Sequence, residues 1–123
     1  MATNREQEIG NRLRLDVAAV NGSGAGNLVQ SGDPFVIGQV PCVALDDEDS
    51  DGYATCQTDG VFRLSVHGFN ASTAAAVTAG AIVYWDDAAG EVNLDSGIGV
   101  RFGYALEAVS GGATKTIKVK VGY

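Results

Sequence analysis

Five carboxylates fall within six residues: Asp46, Asp47, Glu48, Asp49 and Asp51. No other stretch of the chain is as rich in metal-ligand side chains. The spacing Asp47-x-Asp49-x-Asp51-Gly52 matches the first half of a helix-flanked calcium loop. Such a loop closes with a bidentate Glu at its twelfth position, which here is Thr58, and the flanking segments read as strands. The calcium-loop reading therefore fails. Two readings remain. One is a looser cation site, in which a metal relieves repulsion among the carboxylates. The other is a solvated hairpin tip whose charge discourages edge pairing.

Other catalytic chemistry is thinly represented. His67 is the only histidine, and no acid and thiol stand near it in sequence to complete a zinc set. A nucleophile–His–acid triad would have to use it, and nothing else points to one. Ser110 precedes Gly111-Gly112 but lacks the leading glycine of a nucleophile elbow. Lys115-Thr116 has no glycine directly before the lysine and lies in an alternating segment rather than at a helix start, so it is no phosphate loop. Gly22-x-Gly24-x-Gly26 lacks the spacing and the following helix of a dinucleotide fingerprint. The chain reads as a non-enzyme with no cofactor and no small-molecule substrate. Cys42 and Cys56 lie symmetrically about Asp49. A hairpin closing symmetrically there would bring the two sulfurs face to face. Two buried free thiols and a disulfide formed outside the cell both stay open.

These residues need strands to position them. The 123 residues suit one domain. Seventeen glycines and a charged fraction of only 19% fit tight turns between short strands, not long helices. Alternation marks strands at 12–17 and 114–121, the latter with Ile117, Val119 and Val121 inward and Thr116, Lys118 and Lys120 outward. Further strands are expected at 35–37, 40–45, 53–58, 61–66, 82–85, 92–94 and 100–108. Asp59-Gly60 carries a strong two-residue hairpin signal between the strands at 53–58 and 61–66. Residues 71–78 hold helix formers after a capping Asn or Ser, enough for one or two turns. Tyr84 and Trp85 are neighbours on a strand, so one faces the core and the other faces out. The expected fold is all-β: a small sandwich or barrel-like domain of short strands, with at most one short helix near 71–78. An extended N-terminal arm covers 1–11 and a single β-rich domain covers 12–123.

A pattern recurs within that domain. Ser31-Gly32-Asp33-Pro34-Phe35-Val36 leads to Val43-Ala44-Leu45-Asp46, and Ala79-Gly80-Ala81-Ile82-Val83-Tyr84-Trp85-Asp86 leads to Tyr104-Ala105-Leu106-Glu107. Each copy is a small residue and Gly, an apolar strand, a spacer, and an aliphatic/Ala-Leu-acid strand. Two weakly similar halves are expected, about 31–66 and 79–121.

The net charge is −7, and the eight cations are scattered, which argues against nucleic acid. No apolar run approaches the ~18 residues of a membrane span. The polar stretch Met1 to Glu6 lacks the apolar segment of a secretory signal, so synthesis in a cytoplasm is expected.

The motifs at 31–36, 43–45, Thr58-Asp59-Gly60-Val61-Phe62-Arg63-Leu64, 79–86 and Gly103-Tyr104-Ala105-Leu106-Glu107-Ala108 resemble the capsid cement, or head decoration, proteins of tailed bacteriophages. The resemblance spans roughly 12–121. Some such proteins have been labelled recombinases, and the missing phosphate loop argues against that label here. The resemblance departs at Ala81, where an Asp is usual, and at the unusually acidic 46–51 tip. It implies a structural virion protein, made in a host bacterial cytoplasm and carried on the outer surface of the expanded capsid. Its partners would be the major capsid protein and two further copies in a homotrimer. Arg5, Arg12, Arg14, Phe69 and Trp85 are the expected capsid or oligomer contacts. The competing reading is a virion-surface module that recognises glycan or a host surface through an exposed aromatic platform at Tyr53, Phe69 or Trp85.

Overall fold

A computed structural model describes residues 12–122. Its strands are β1 (Arg12–Asp16), β2 (Pro34–Ile37), β3 (Val40–Ala44), β4 (Tyr53–Gln57), β5 (Gly60–His67), β6 (Phe69–Asn70), β7 (Thr73–Ala74), β8 (Ile82–Asp86), β9 (Glu91–Asn93), β10 (Val100–Ala105) and β11 (Thr114–Val121). The only helical turn among the described residues is a three-residue 3-10 turn at Ala25–Asn27. The fold is all-β, as the composition implies.

The strands form two main bodies. β1-β4-β3-β2 is an open antiparallel sheet, and β10-β11-β5-β9-β8 closes into a barrel. Alternation sets the barrel core: Ile117, Val119 and Val121 of β11 face Leu64 and Val66 of β5, and Phe102, Val83, Val92 and Trp85 fill the rest. A second core lies on one face of the open sheet, where Val17, Val29, Phe35, Cys42, Ala44, Ala54 and Cys56 pack together. β9 reaches β5 in parallel at Val66↔Val92, and this one pairing closes the barrel.

Two local expectations change in the folded chain. Asp59-Gly60 does not close a hairpin. β4 already has β1 on one side and β3 on the other, so it has no free edge for β5. The turn instead carries the chain from the sheet into the barrel, with Gly60 at φ 105°. The 71–78 segment forms no helix. Ala71 is left-handed at φ 58°, Ala75 N donates to Gly68 O, and Val77 bridges to Val109 in both directions. Tertiary pairing outweighs a local helix preference of only a few tenths of a kcal/mol per residue, roughly.

The two bodies share one plan. The sheet order β1-β4-β3-β2 is repeated as β5-β11-β10-β8, with β9 added as the closing strand. The same hydrogen bonds recur. Gly32 N donates to Ala44 O (2.8 Å) and Ala44 N to Asp33 O (3.0 Å); Gly80 N donates to Ala105 O (2.7 Å) and Ala105 N to Ala81 O (2.9 Å). Leu45 N donates to Thr55 O (2.8 Å) and Leu106 N to Lys118 O (2.9 Å). A carboxylate completes each set: Asp46 accepts from Thr55 N (2.8 Å) and Glu107 from Lys118 N (2.9 Å). By these bonds the equivalent stretches are 12–57 and 60–121, each opening on the strand that pairs with its last one.

The β8–β10 register slips by one between Arg101 and Gly103. At this bulge a Cβ on Gly103 would collide with Lys120 O, a backbone atom of the neighbouring strand that cannot move aside alone. Gly103→Ala should therefore destabilise the barrel by roughly 1–3 kcal/mol, read by urea unfolding. An unchanged midpoint would show that β10 and β11 are not this close.

Candidate functional site

The five clustered carboxylates do not converge on a common point. Four of them turn to nearby backbone. Asp46 accepts from Thr55 N, Asp47 from Ser31 N (2.9 Å) and Glu48 from Val29 N (3.1 Å). Asp49 Oδ1 accepts from Asp51 N (2.9 Å) and Tyr53 N (3.0 Å), and its Oδ2 pairs with Arg14 at 2.7 Å. The amide of Tyr53 is the largest of the influences that hold the Asp49 carboxyl below its usual range. The window thus fastens the β3–β4 turn to the loop before β2. Among the described residues no group of three or more His, Cys, Asp and Glu side chains is placed to hold a metal.

His67 does find an acid, brought by the parallel β5–β9 pairing from 24 residues away. Its Nδ1 lies 2.7 Å from Glu91 Oε2, and its ring stacks on Phe69 with centroids 5.1 Å apart. Asn93 Nδ2 donates to the same Glu91 oxygen (2.9 Å) and to the buried Asp86 (3.3 Å). Among the described residues no hydroxyl or thiol is hydrogen-bonded to the imidazole. The arrangement is a polar network that seals one end of the barrel, where three buried polar side chains need partners.

A different surface stands out. Register pairs put Val61, Lys120, Tyr104 and Ile82 in one row across β5, β11, β10 and β8, all on the barrel's outer side. Val61 and Ile82 are exposed. Tyr104 lies between two cations: Arg101 donates to its hydroxyl (2.6 Å) and Lys120 Nζ sits 5.8 Å from its ring centroid. Arg63 and Lys118 form the next row, beside the exposed Leu106. Glu107 is the acid among them. The Lys118 amide first, then the nearby cations, lower its carboxyl below the usual range.

A scan against family models matches residues 16–121 to the phage cement protein family. The chain belongs to that family. Searches of curated proteins and of solved structures found no match. Membership gives this cement protein a structural, capsid-stabilising role at the virion capsid.

The contact residues expected from the cement protein's sequence are dispersed. Arg5 lies outside the described residues. Arg12 and Arg14 are exposed on β1, with Arg14 committed to Asp49 and stacked 4.9 Å over Tyr53. Phe69 is stacked on His67. Trp85 takes the core side of β8, only 8% exposed, and Tyr84 takes the outer side. Tyr53 and Phe69 each have one ring face taken, by Arg14 and by His67, and Trp85 is inside. The barrel's outer row was not readable as a unit. Lys118 and Lys120 show their outward phase in sequence, but Val61 and Ile82 join them only through pairings between distant segments.

The cysteines of the cement protein share one core but not one rung. β3 and β4 pair as Val43↔Gln57 and Ala44↔Cys56, two residues away from the symmetric register. Both thiols are free and buried. Burial pushes Cys42 up to about 12, helped by Cys56, and pushes Cys56 up to about 11.

Two outcomes follow for the free protein. The folded state holds the thiol protons more tightly than the unfolded state, whose thiols titrate near 9. Their contribution to stability is whole below pH 9 and is lost as pH rises toward 11–12. Urea melts from pH 8 to 11 should fall more steeply for the native chain than for Cys42→Ala/Cys56→Ala; parallel slopes would place the thiols near solvent. Millimolar calcium should leave the melting temperature unchanged, whereas Asp49→Ala should lower it by freeing Arg14 and two amides. A calcium-dependent rise would return the acidic window to the metal reading.

Proposed function

We propose that this cement protein binds the outer surface of the expanded capsid, contacts major capsid protein subunits and clamps neighbours as a homotrimer. The observation that carries the reading is the family match over 16–121, which spans both halves of the fold. The physics is mass action. A ligand that binds only the assembled, expanded shell stabilises it relative to its separated subunits. No reaction is needed, and nothing in the geometry of His67 supplies one. Arg5, Arg12 and Arg14 are taken to lie toward the shell.

Purified chain mixed with expanded shells that lack it should co-sediment saturably and raise the shells' melting temperature. A folded chain that stays in the supernatant would remove the proposal. Deleting residues 1–10 should weaken uptake at least tenfold, scored in the same assay. Full uptake by the truncated chain would move the capsid side elsewhere.

A further inference from the structure

The two cores of the chain meet along a seam that does not close completely. Ile37 lies at the margin of the first-half core, and Val36 lies against the barrel core, to which Trp85 belongs. Beside them is an open cavity of about 610 Å³. One wall comes from the turn after β1 and from the end of β2. The other comes from the Trp85↔Val100 pair of the barrel. Val36, Ile37 and Val100 are half-buried, so the walls are apolar yet reachable from solvent. Sites for small molecules have this size and character, roughly 300–1,000 Å³ and apolar with a few placed polar groups.

The polar groups are of one sign. Asp16 and Asp87 are the only charged residues on the cavity lining, and one comes from each half. Both carboxylates are held in place. Asp16 Oδ1 accepts from Ala18 N (3.0 Å), and Asp87 Oδ1 accepts from Trp85 Nε1 (3.3 Å). The indole adds an aromatic wall, the best of the aromatic rings for attracting a cation. An anion would meet two like charges here. A bare inorganic cation would gain nothing from the apolar walls. A second cleft that Trp85 also lines mixes Arg63 with Asp33 and Glu91 and so selects neither sign.

We propose that the cavity between the halves binds a free amphiphilic amine, its ammonium group at Asp16 and Asp87 and its apolar stem against Val36, Ile37, Val100 and Trp85. The cavity is larger than one lysine side chain fills, which favours a free molecule over a residue presented by a partner protein. Walls from both halves mean that the ligand ties them together and stabilises the folded chain by mass action. The inference goes beyond the cement role and needs neither a shell nor a second copy.

The test is titration of the full chain with butyl-, pentyl- and hexylammonium chloride at constant ionic strength. Trp85 is the only tryptophan, so its emission reports the site, and thermal melting gives a second readout. Binding should saturate and tighten roughly three- to fourfold with each added methylene. At ten times the dissociation constant the melting temperature should rise by roughly 3–8 °C. Hexanoate should do neither. Asp16→Asn, which keeps an oxygen for Ala18 N, should weaken hexylammonium roughly threefold, and Asp16→Asn/Asp87→Asn roughly tenfold. Ala19 is exposed on the cavity lining, so Ala19→Leu should fill the space and weaken binding without unfolding the chain. Circular dichroism checks the fold of each variant. The proposal is overturned by an amine that changes neither emission nor melting, by equal affinity along the series, by hexanoate binding as well as hexylammonium, or by folded variants that bind like wild type. A lysine-containing tripeptide that binds more tightly than hexylammonium, with the same response to the variants, would give the site to a protein side chain and overturn the free-amine assignment.

Discussion

An open antiparallel sheet must bury its apolar surface before it is stable, and the four-stranded sheet of this chain carries apolar side chains on both faces. The first half of this chain meets that constraint in two ways. One face is filled by its own loops, with Val17 and Val29 closing over Phe35, Cys42 and Cys56. The other face has no loop to cover it and lies instead on the second half, through Val36 and Val43. Burying a single valine fully is worth about 1.5–3 kcal/mol, so this junction ties the halves into one cooperative body. The second half answers the same constraint differently. β9 is inserted between β8 and β10 in sequence and closes the sheet on itself. Closure removes the sheet's free edges, and it leaves the outer face of β8 and β10 without a counterpart to the first half's junction.

Carboxylates in this protein act mainly on amides. Asp46 and Glu107 stand at equivalent positions and fix the turn of their strand against β4 and β11. Asp47, Glu48 and Asp49 extend the device on the first half, binding the β3–β4 turn to the loop at 29–31 and to Arg14. Backbone amides hold the Asp49 and Glu107 carboxyls below their usual range, so fastening and surface charge come from the same side chains. The result is a strongly acidic first half joined to a barrel whose outer face is basic. That asymmetry is a property of the fold rather than of the net charge, which is −7 for the whole chain.

Much of this was legible in the sequence, for physical reasons that also mark the limits. Period-two alternation identified β1 and β11 because each has one wet and one dry face. Within the recurring segments, Gly32 and Gly80 both take left-handed φ, and Asp46 and Glu107 accept the same bond. What failed were inferences that treated neighbours in sequence as neighbours in the sheet. Asp59-Gly60 has hairpin chemistry, but β4 had no free edge. The cysteines were centred on the turn, but the register is set by the packing of Ala44 and Cys56 and by the Asp46–Thr55 bond. Trp85 and Tyr84 could be divided into core and surface, but which was which depended on the barrel. His67 had no acid nearby until β9 returned in parallel.

The most direct test of the cement role is cryo-electron microscopy of expanded shells saturated with this chain. The expected reconstruction shows its density on the outer surface, spanning junctions between capsid subunits. Density on the inner surface, or shells that carry none at saturating chain, would contradict the role.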